Sequence, residues 1–247
     1  MNPFLKNLNK IEFVLTDACT GACRHCSQGD HPKTGAHLDP ELGIKLIREV
    51  SARYEIRTVM VFGGEPLLFP RATAELIGAA RDAGIPHRQI ITNGFFTKNE
   101  DKMRRVAKLL AESGVNDLLL SADAFHQETI PLETVKTFAH SAKEAGIPVH
   151  LQPAWLVSKD DPNPYNEKTR GILNAFEGFS VGEGNVIFPE GNAKKHLAEY
   201  FTDSVPENPY VEDPKDLRTL SVSPDGSLLG ESLYEKNVLE ILNNYRA

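Results

Sequence analysis

Cys19, Cys23 and Cys26 are the only cysteines of the chain, and they fall within the eight residues Cys-Thr-Gly-Ala-Cys-Arg-His-Cys. A deprotonated cysteine is a soft ligand, so thiolates this close together suit iron–sulfur or zinc chemistry. A structural zinc normally takes four protein ligands. Three thiolates leave one coordination position open, which a cluster needs if it is to bind a small molecule as well as carry an electron. The plain alternative is a zinc site completed by His25, His31 or His37. A disulfide is a poorer reading, because the number is odd and such near neighbours would close strained rings.

A second motif narrows the choice. Gly63-Gly64-Glu65-Pro66 follows the apolar run Val59-Met60-Val61-Phe62. A Cys-x3-Cys-x2-Cys loop after a first strand, followed by Gly-Gly-Glu-Pro after a second, resembles the radical S-adenosylmethionine (SAM) enzymes. The resemblance implies a 4Fe–4S cluster on Cys19, Cys23 and Cys26, with the amino and carboxylate groups of SAM on the open iron. It implies that an electron, from a donor such as flavodoxin or ferredoxin, breaks the sulfonium bond. The 5′-deoxyadenosyl radical so formed would take a hydrogen atom from a substrate. Gly63 and Gly64 would let the backbone approach the methionine amino group, Glu65 would accept its hydrogen bond, and Pro66 would fix the turn. An ordinary strand-to-helix turn with a carboxylate at the helix start is the alternative.

Other residues join the list through the same resemblance. Ser121 and Asp123 alternate at the end of a fourth strand, and period two puts them on one face. They are candidates for the ribose hydroxyls or carboxylate of SAM, Ser121 ahead of Asp123; a helix cap is the alternative. Asn93, in Thr92-Asn93-Gly94, would lie in the barrel mouth or simply make a turn. His126 is the candidate for substrate binding or proton transfer. His25 and Arg24, inside the cysteine loop, are placed to tune the cluster. Gln152 and His150 alternate on a fifth strand without an assigned role. Pro189-Glu190-Gly191-Asn192-Ala193 is similar to a Pro-x-Gly-Arg-Ala segment of peptide-modifying members, with Asn192 in place of Arg.

Composition bounds the rest. The chain has 247 residues, 40% of them hydrophobic and 25% charged, as in ordinary globular domains. A net charge of −7 makes no electrostatic case for nucleic acid or an anionic membrane. No apolar run approaches the roughly 18 residues of a membrane span, and Lys6, Lys10 and Glu12 interrupt any secretory core. A cytoplasmic location is expected, where free thiolates persist.

Strands and helices that position these residues alternate along the chain. Strands are expected at 11–16, 58–62, 89–92, 117–122, 149–156 and 185–188, with helices at 71–83, 100–112, 132–145 and 166–176. A further helix starts at Asp39-Pro40-Glu41, with Asp as its cap and Pro in its first turn. Alternation of this kind argues for a parallel sheet with right-handed crossovers. Six units predict an α/β partial (β/α)6 TIM-type barrel, with chemistry at the carboxyl ends of the strands.

The core is expected over 1–201 and an extension over 202–247. Ser221–Gly230 resembles the opening of a SPASM-type extension, yet Gly230 stands where its first cysteine would be and none follows. A hairpin turning at Asp225-Gly226 and then a helix are expected there, without a second cluster. The expected substrate is a peptide or protein side chain, with a small organic molecule as the alternative. From another class, the alternative is a non-catalytic metal-binding module.

Overall fold

The computed structural model describes residues 2–201 and 206–247. The expected boundary between 201 and 202 lies at residues outside that range. Strands β1 (Lys10–Val14), β2 (Thr58–Phe62), β3 (His87–Thr92), β4 (Asp117–Ser121) and β5 (Val149–Gln152) pair side by side, all parallel. The crossovers are α1 (Pro40–Ser51), α2 (Pro70–Asp82), α3 (Glu100–Ser113) and α4 (Leu132–Glu144). Local chemistry sets their ends. Asp39 caps α1 by accepting from the Glu41 amide, with Pro40 next to it, and Asn99 caps α3 by accepting from Lys102. Gly114 ends α3 at φ 97°, a left-handed geometry that costs glycine little.

Period two divides each strand between two environments. Ile11, Phe13, Val59, Val61, Ile90, Leu118, Leu120 and Leu151 form one core with Leu46, Ile47, Leu76, Ile77, Val106 and Phe138 of the helices. The opposite, inner face carries Lys10, Glu12, Val14, Phe62, Gln89, Ile91, Asp117, Leu119, Ser121, His150 and Gln152.

Three expectations change. The expected strand 149–156 is two: β5, then β6 (Ala154–Trp155), divided by Pro153, which has no amide hydrogen for the ladder. The sixth strand of the sheet is β7 (Ser180–Val181), not 185–188. Asn185–Val186 forms β8, which pairs with β6 in a small separate sheet. Beyond it, α5 (Pro164–Asn174) and α6 (Gly191–His196) complete this end, the latter unforeseen from sequence.

The C-terminal segment enters the main sheet. Its strand β9 (Thr219–Val222) runs parallel to β1, giving the order β7-β5-β4-β3-β2-β1-β9. The hairpin follows as β10 (Ser227–Leu228) and β11 (Glu231–Ser232), and it turns at Leu229-Gly230, both at positive φ. Asp225-Gly226 instead makes the turn between β9 and β10, with the Gly226 amide donating to Ser223. Helix α7 (Val238–Asn244) packs back on α1, and Asn2 donates to Leu242 and Tyr245, joining the two ends of the chain. No helix among the described residues is long and apolar enough to cross a membrane.

Candidate active site

The cysteine loop leaves β1 and is pinned from three sides. Glycines 63 and 64 receive it from β2. The Gly64 amide donates to Thr16 and the Glu65 amide to Ala18, each at 2.8 Å. A β-carbon on Gly64 would lie 2.2 Å from the Ala18 carbonyl, and one on Gly63, at φ 132°, would lie 2.7 Å from that of Thr16. Close backbone packing therefore explains both glycines, where the sequence reading assigned them to an approach by SAM. From the far end of the chain, a β-carbon on Gly191 would meet the carbonyls of Cys26 and Ser27 at 2.5 and 2.4 Å. The Asn192 amide donates to Cys26 at 2.8 Å, and its side chain donates to Asp30. On the third side, Thr129 accepts from the Ala22 amide, and Lys33 donates to the carbonyls of Thr20 and Gly21.

The three cysteines converge. A β-carbon on Gly21 would lie 3.2 Å from Cys23 Sγ and 3.7 Å from Cys19 Sγ. Burial pushes the Cys19 thiol up to about 11 and drives Cys23 further in the same direction, with Glu65 or Asp123 and the other cysteines adding to it. Burial also acts on Cys26, but His31 outweighs it and lowers that thiol. The His31 ring bonds the Asp17 carbonyl through Nδ1 and reaches Cys26 Sγ with Nε2 at 3.2 Å. Two buried thiols that resist ionisation beside a third would need strong positive charge to become thiolates, which iron supplies. The donor set thus fits a cluster on Cys19, Cys23 and Cys26. Of the histidines named for a zinc site, His25 packs its ring on Phe125 and His126 and His37 bonds the Leu38 carbonyl, so only His31 stands beside a cysteine.

Glu65 is wholly buried, and its carboxylate accepts three bonds from the chain: Leu67 N (2.9 Å), Thr92 Oγ1 (2.7 Å) and Asn93 N (2.8 Å). Burial outweighs these donors and lifts its pKa to about 7. Oε1 takes two of these bonds and Oε2 one, so Oε2 keeps a lone pair. The carboxylate clamps the ends of β2 and β3 and caps the Pro66–Leu68 turn, in which Pro66 takes the first position. Asn93, held by that clamp, sends Nδ2 toward Thr20 Oγ1 (3.2 Å) and Cys19 Sγ (3.6 Å). It therefore lies in the mouth and touches the cysteine loop.

Asp123 also departs from expectation. Its oxygens accept from the amides of Phe125, His126 and Ala154 and from His126 Nδ1 at 2.7 Å. Burial opposes its charge, but the two neighbouring histidines and these bonds hold its pKa well below the usual carboxylate range. With no exposed surface and four bonds within the chain, it is not free for a ribose. It caps the turn at His126–Glu128 and ties β4 to β6. Because it can only accept, His126 carries its proton on Nδ1 and leaves Nε2 free. Ser121 stands at the end of β4 opposite Gln152. Arg24 forks onto Glu128 and bonds Tyr165, so its charge is neutralised on the loop's outer side. His150 bonds Asp117, away from the cysteines.

Among the described residues three buried side-chain atoms have no partner, His25 Nδ1 and Asn192 Oδ1 at the loop and Gln127 Nε2 in the turn after β4. Such atoms are costly unless a ligand satisfies them. The two at the loop fit a site completed by a polar cofactor, as SAM is. Burial lowers the His25 pKa to about 4, with His126 adding to the effect, so its ring is neutral at pH 7.

The sequence profile of the Radical SAM superfamily matches residues 13–157, more than half of the chain. The chain belongs to the Radical SAM superfamily. That span holds the cysteine loop, the Gly-Gly-Glu-Pro turn, Asn93 and the Asp123–His126 pair. The chain is 31% identical over 126 residues to GTP 3′,8-cyclase of Chlorobaculum tepidum, covering 51% of this chain and 36% of that one. It is 24% identical over 210 residues to the probable GTP 3′,8-cyclase of Saccharolobus solfataricus, covering 80% and 66%. Against the probable GTP 3′,8-cyclase of Methanocaldococcus jannaschii, 25% identical over 126 residues, the match covers 51% of this chain and only 40% of the relative. Among solved structures, Streptococcus suis SuiB bound to S-adenosylmethionine superposes with a TM-score of 0.61 at 14% identity, over 98% of this chain and 66% of SuiB. BtrN in complex with AdoMet and 2-DOIA gives 0.53 at 18%, over 96% and 82%. These likenesses bear out the partial-barrel fold. Family membership supports the 4Fe–4S cluster and SAM as cofactors.

His31, Lys33, Thr129 and Gly191 went unassigned or misassigned in the sequence. Each acts on the cysteine loop through a contact that only the folded chain makes, and only Gly191 sits in a segment the sequence singled out.

Proposed function

We propose that this radical SAM enzyme generates a 5′-deoxyadenosyl radical and uses it to abstract hydrogen from a small organic molecule. Cluster and SAM, when bound, supply the one-electron cleavage and the radical. The chain's own residues do the rest. Cys19, Cys23 and Cys26 hold the iron, Gly63, Gly64 and Glu65 hold the loop in register with β2, and Asn93 and Ser121 line the mouth. Asp123 orients His126 so that Nε2 can bind the substrate or move a proton there. The extension completes the sheet through β9. The carrying observation is the convergence of three cysteines, two of them buried, at the carboxyl end of an open parallel sheet. Relatives named for a reaction on GTP favour a small molecule over the peptide expected from the tail.

The test is anaerobic reconstitution with iron and sulfide, followed by SAM and dithionite, with 5′-deoxyadenosine measured. Release that disappears when Cys19, Cys23 and Cys26 become Ala supports the reading. An intact cluster that neither binds nor cleaves SAM would leave a non-catalytic metal module.

A further inference from the structure

We propose that the inner face of the sheet binds a small, non-phosphorylated substrate bearing hydroxyl or amino groups, with Asp117, Gln89 and His150 as its polar contacts. This rests on the radical SAM reading above and adds the substrate class.

The space comes first. A closed barrel fills its interior with packed side chains. Here Val14, Phe62, Ile91 and Leu119 are all partly exposed, whereas their outward neighbours Phe13, Val61, Ile90 and Leu120 are at 0%. The inner face therefore borders open space, directly below the cysteine loop that follows β1.

The polar groups come next. The strand register aligns Glu12, Met60, Gln89 and Asp117 in one row across β1 to β4. At about 3.3 Å of rise per residue, this row lies about 13 Å below the level of Ser121. Gln89 Nε2 donates to Asp117 Oδ2 at 2.7 Å, and His150 Nδ1 bonds Asp117 Oδ1 at 2.8 Å. The network spans three strands and stays accessible, with the Asp117 and His150 side chains 23% and 42% exposed. A carboxylate oxygen keeps a second lone pair for a hydroxyl or ammonium donor. One pleat above, the apolar side chains face the part of the substrate that carries its C–H bonds.

Charge then narrows the class. Binding a triphosphate takes several cationic groups, preferably arginine. The inward positions of β1 to β5 hold no arginine, and their lysine, Lys10, is already paired with Glu12. Arg88, on β3, spends its guanidinium on the carbonyls of Gly114, Ile85 and Pro86. The strand positions of this face therefore offer a polyphosphate such as GTP no free lysine or arginine.

A strap limits the size. Asn208 donates to Glu190 and the Tyr210 hydroxyl to Asn185, beyond the β7 edge. At the β9 edge, Asn7 donates to Asp216 and the Leu217 amide to Phe4. Residues 208–217 thus connect the two edges of the sheet. Tyr210 sets its ring edge against Phe188 yet stays 60% exposed, so the strap is anchored at its ends without sealing the face. A face bridged from edge to edge by a strap favours a small molecule over a polypeptide.

The probes are GTP and a cell extract below 1 kDa, split on an anion-exchange resin. Wild-type protein is equilibrated with each, and bound compounds are identified by mass after ultrafiltration; this needs no SAM cleavage. The reconstituted enzyme is then assayed for extra 5′-deoxyadenosine. The unretained fraction should yield a bound compound and raise 5′-deoxyadenosine, and GTP should do neither. In Asp117→Asn and, separately, His150→Gln, the amount of fraction giving half-maximal stimulation should rise at least tenfold, with iron content and melting temperature as fold controls. Binding or stimulation by GTP or the retained fraction, no ligand from the unretained fraction, or an unchanged half-maximal amount in both variants would overturn the proposal. Failure of the radical reading appears separately, as a bound compound without any 5′-deoxyadenosine.

Discussion

At the residue scale, several functional side chains are spoken for by the fold itself. Gly64 is the sharpest case. Gly64→Ala would drive a β-carbon into the Ala18 carbonyl at 2.2 Å, so the cysteine loop must shift. Iron bound after reconstitution should fall severalfold, whereas Gly78→Ala, with nothing within 4 Å on α2, should retain full iron and gain about 0.5–1 kcal/mol. Iron assays and melting curves check both. Glu65 carries a pH signature. Its folded pKa of about 7 lies above the ordinary value of 4.5, so the folded state holds a proton that the unfolded state has lost. Stability from this group is therefore present below about 4.5 and lost as pH rises to about 7, by ~3 kcal/mol in all. His25 works oppositely, being stabilising when neutral and losing that as pH falls from 6.5 toward 4. The two overlap, so a difference measurement is required. The stability gap between wild type and Glu65→Gln, measured on metal-free protein by urea unfolding, should narrow by about 2 kcal/mol between pH 5 and 7.5. A constant gap would show that the carboxylate is already ionised at pH 5.

At the element scale, the decisive contacts sit where strands end. Asp123 joins the end of β4, the His126 turn and the start of β6 through four acceptor bonds. Asp123→Ala leaves three backbone amides without that partner, at about 1–3 kcal/mol for each that stays buried and unpaired. A loss of 3 kcal/mol or more in urea unfolding is expected. His126 should also lose its fixed ring orientation, visible as altered imidazole NMR shifts. Pro153 shows the same logic for the backbone. One missing amide hydrogen divides the apolar run 149–156 into strands of two different sheets, and periodicity gives no warning of it. The tail behaves in the reverse way. Its short apolar segment 219–222 looks like half of a hairpin in sequence, yet it pairs in parallel with β1, more than 200 residues away.

At the scale of the whole molecule, the sheet has an outer face sealed by helices and an inner face left open to the cysteine loop. The seventh strand covers the β1 edge, so deletion of residues 218–247 should expose that edge and remove Leu220, Val222 and Ile241 from the core. Cooperative thermal unfolding is expected to disappear, as read by circular dichroism; a sharp transition in the truncated chain would show the tail to be dispensable. Substrate chemistry is also decided at this scale, because Gln89, Asp117 and His150 lie on three separate strands and form one surface only when these align.

The cysteine spacing, the Gly-Gly-Glu-Pro segment and the strand–helix alternation sufficed to place this chain in its family and fold, because each is a local pattern tied to a local requirement. They also located the mouth of the barrel. Side-chain direction was not legible. Glu65 and Asp123 occur where a cofactor contact was expected, yet both are buried, Asp123 with four bonds from the chain and Glu65 with three, and no spacing rule tells a carboxylate facing a cavity from one turned into the protein. Likewise Gly191 and His31 acquire their purpose from neighbours brought in by folding. Short-range chemistry is written along the chain, whereas which groups remain free to act is settled only when distant backbone amides have taken their share of the acceptors.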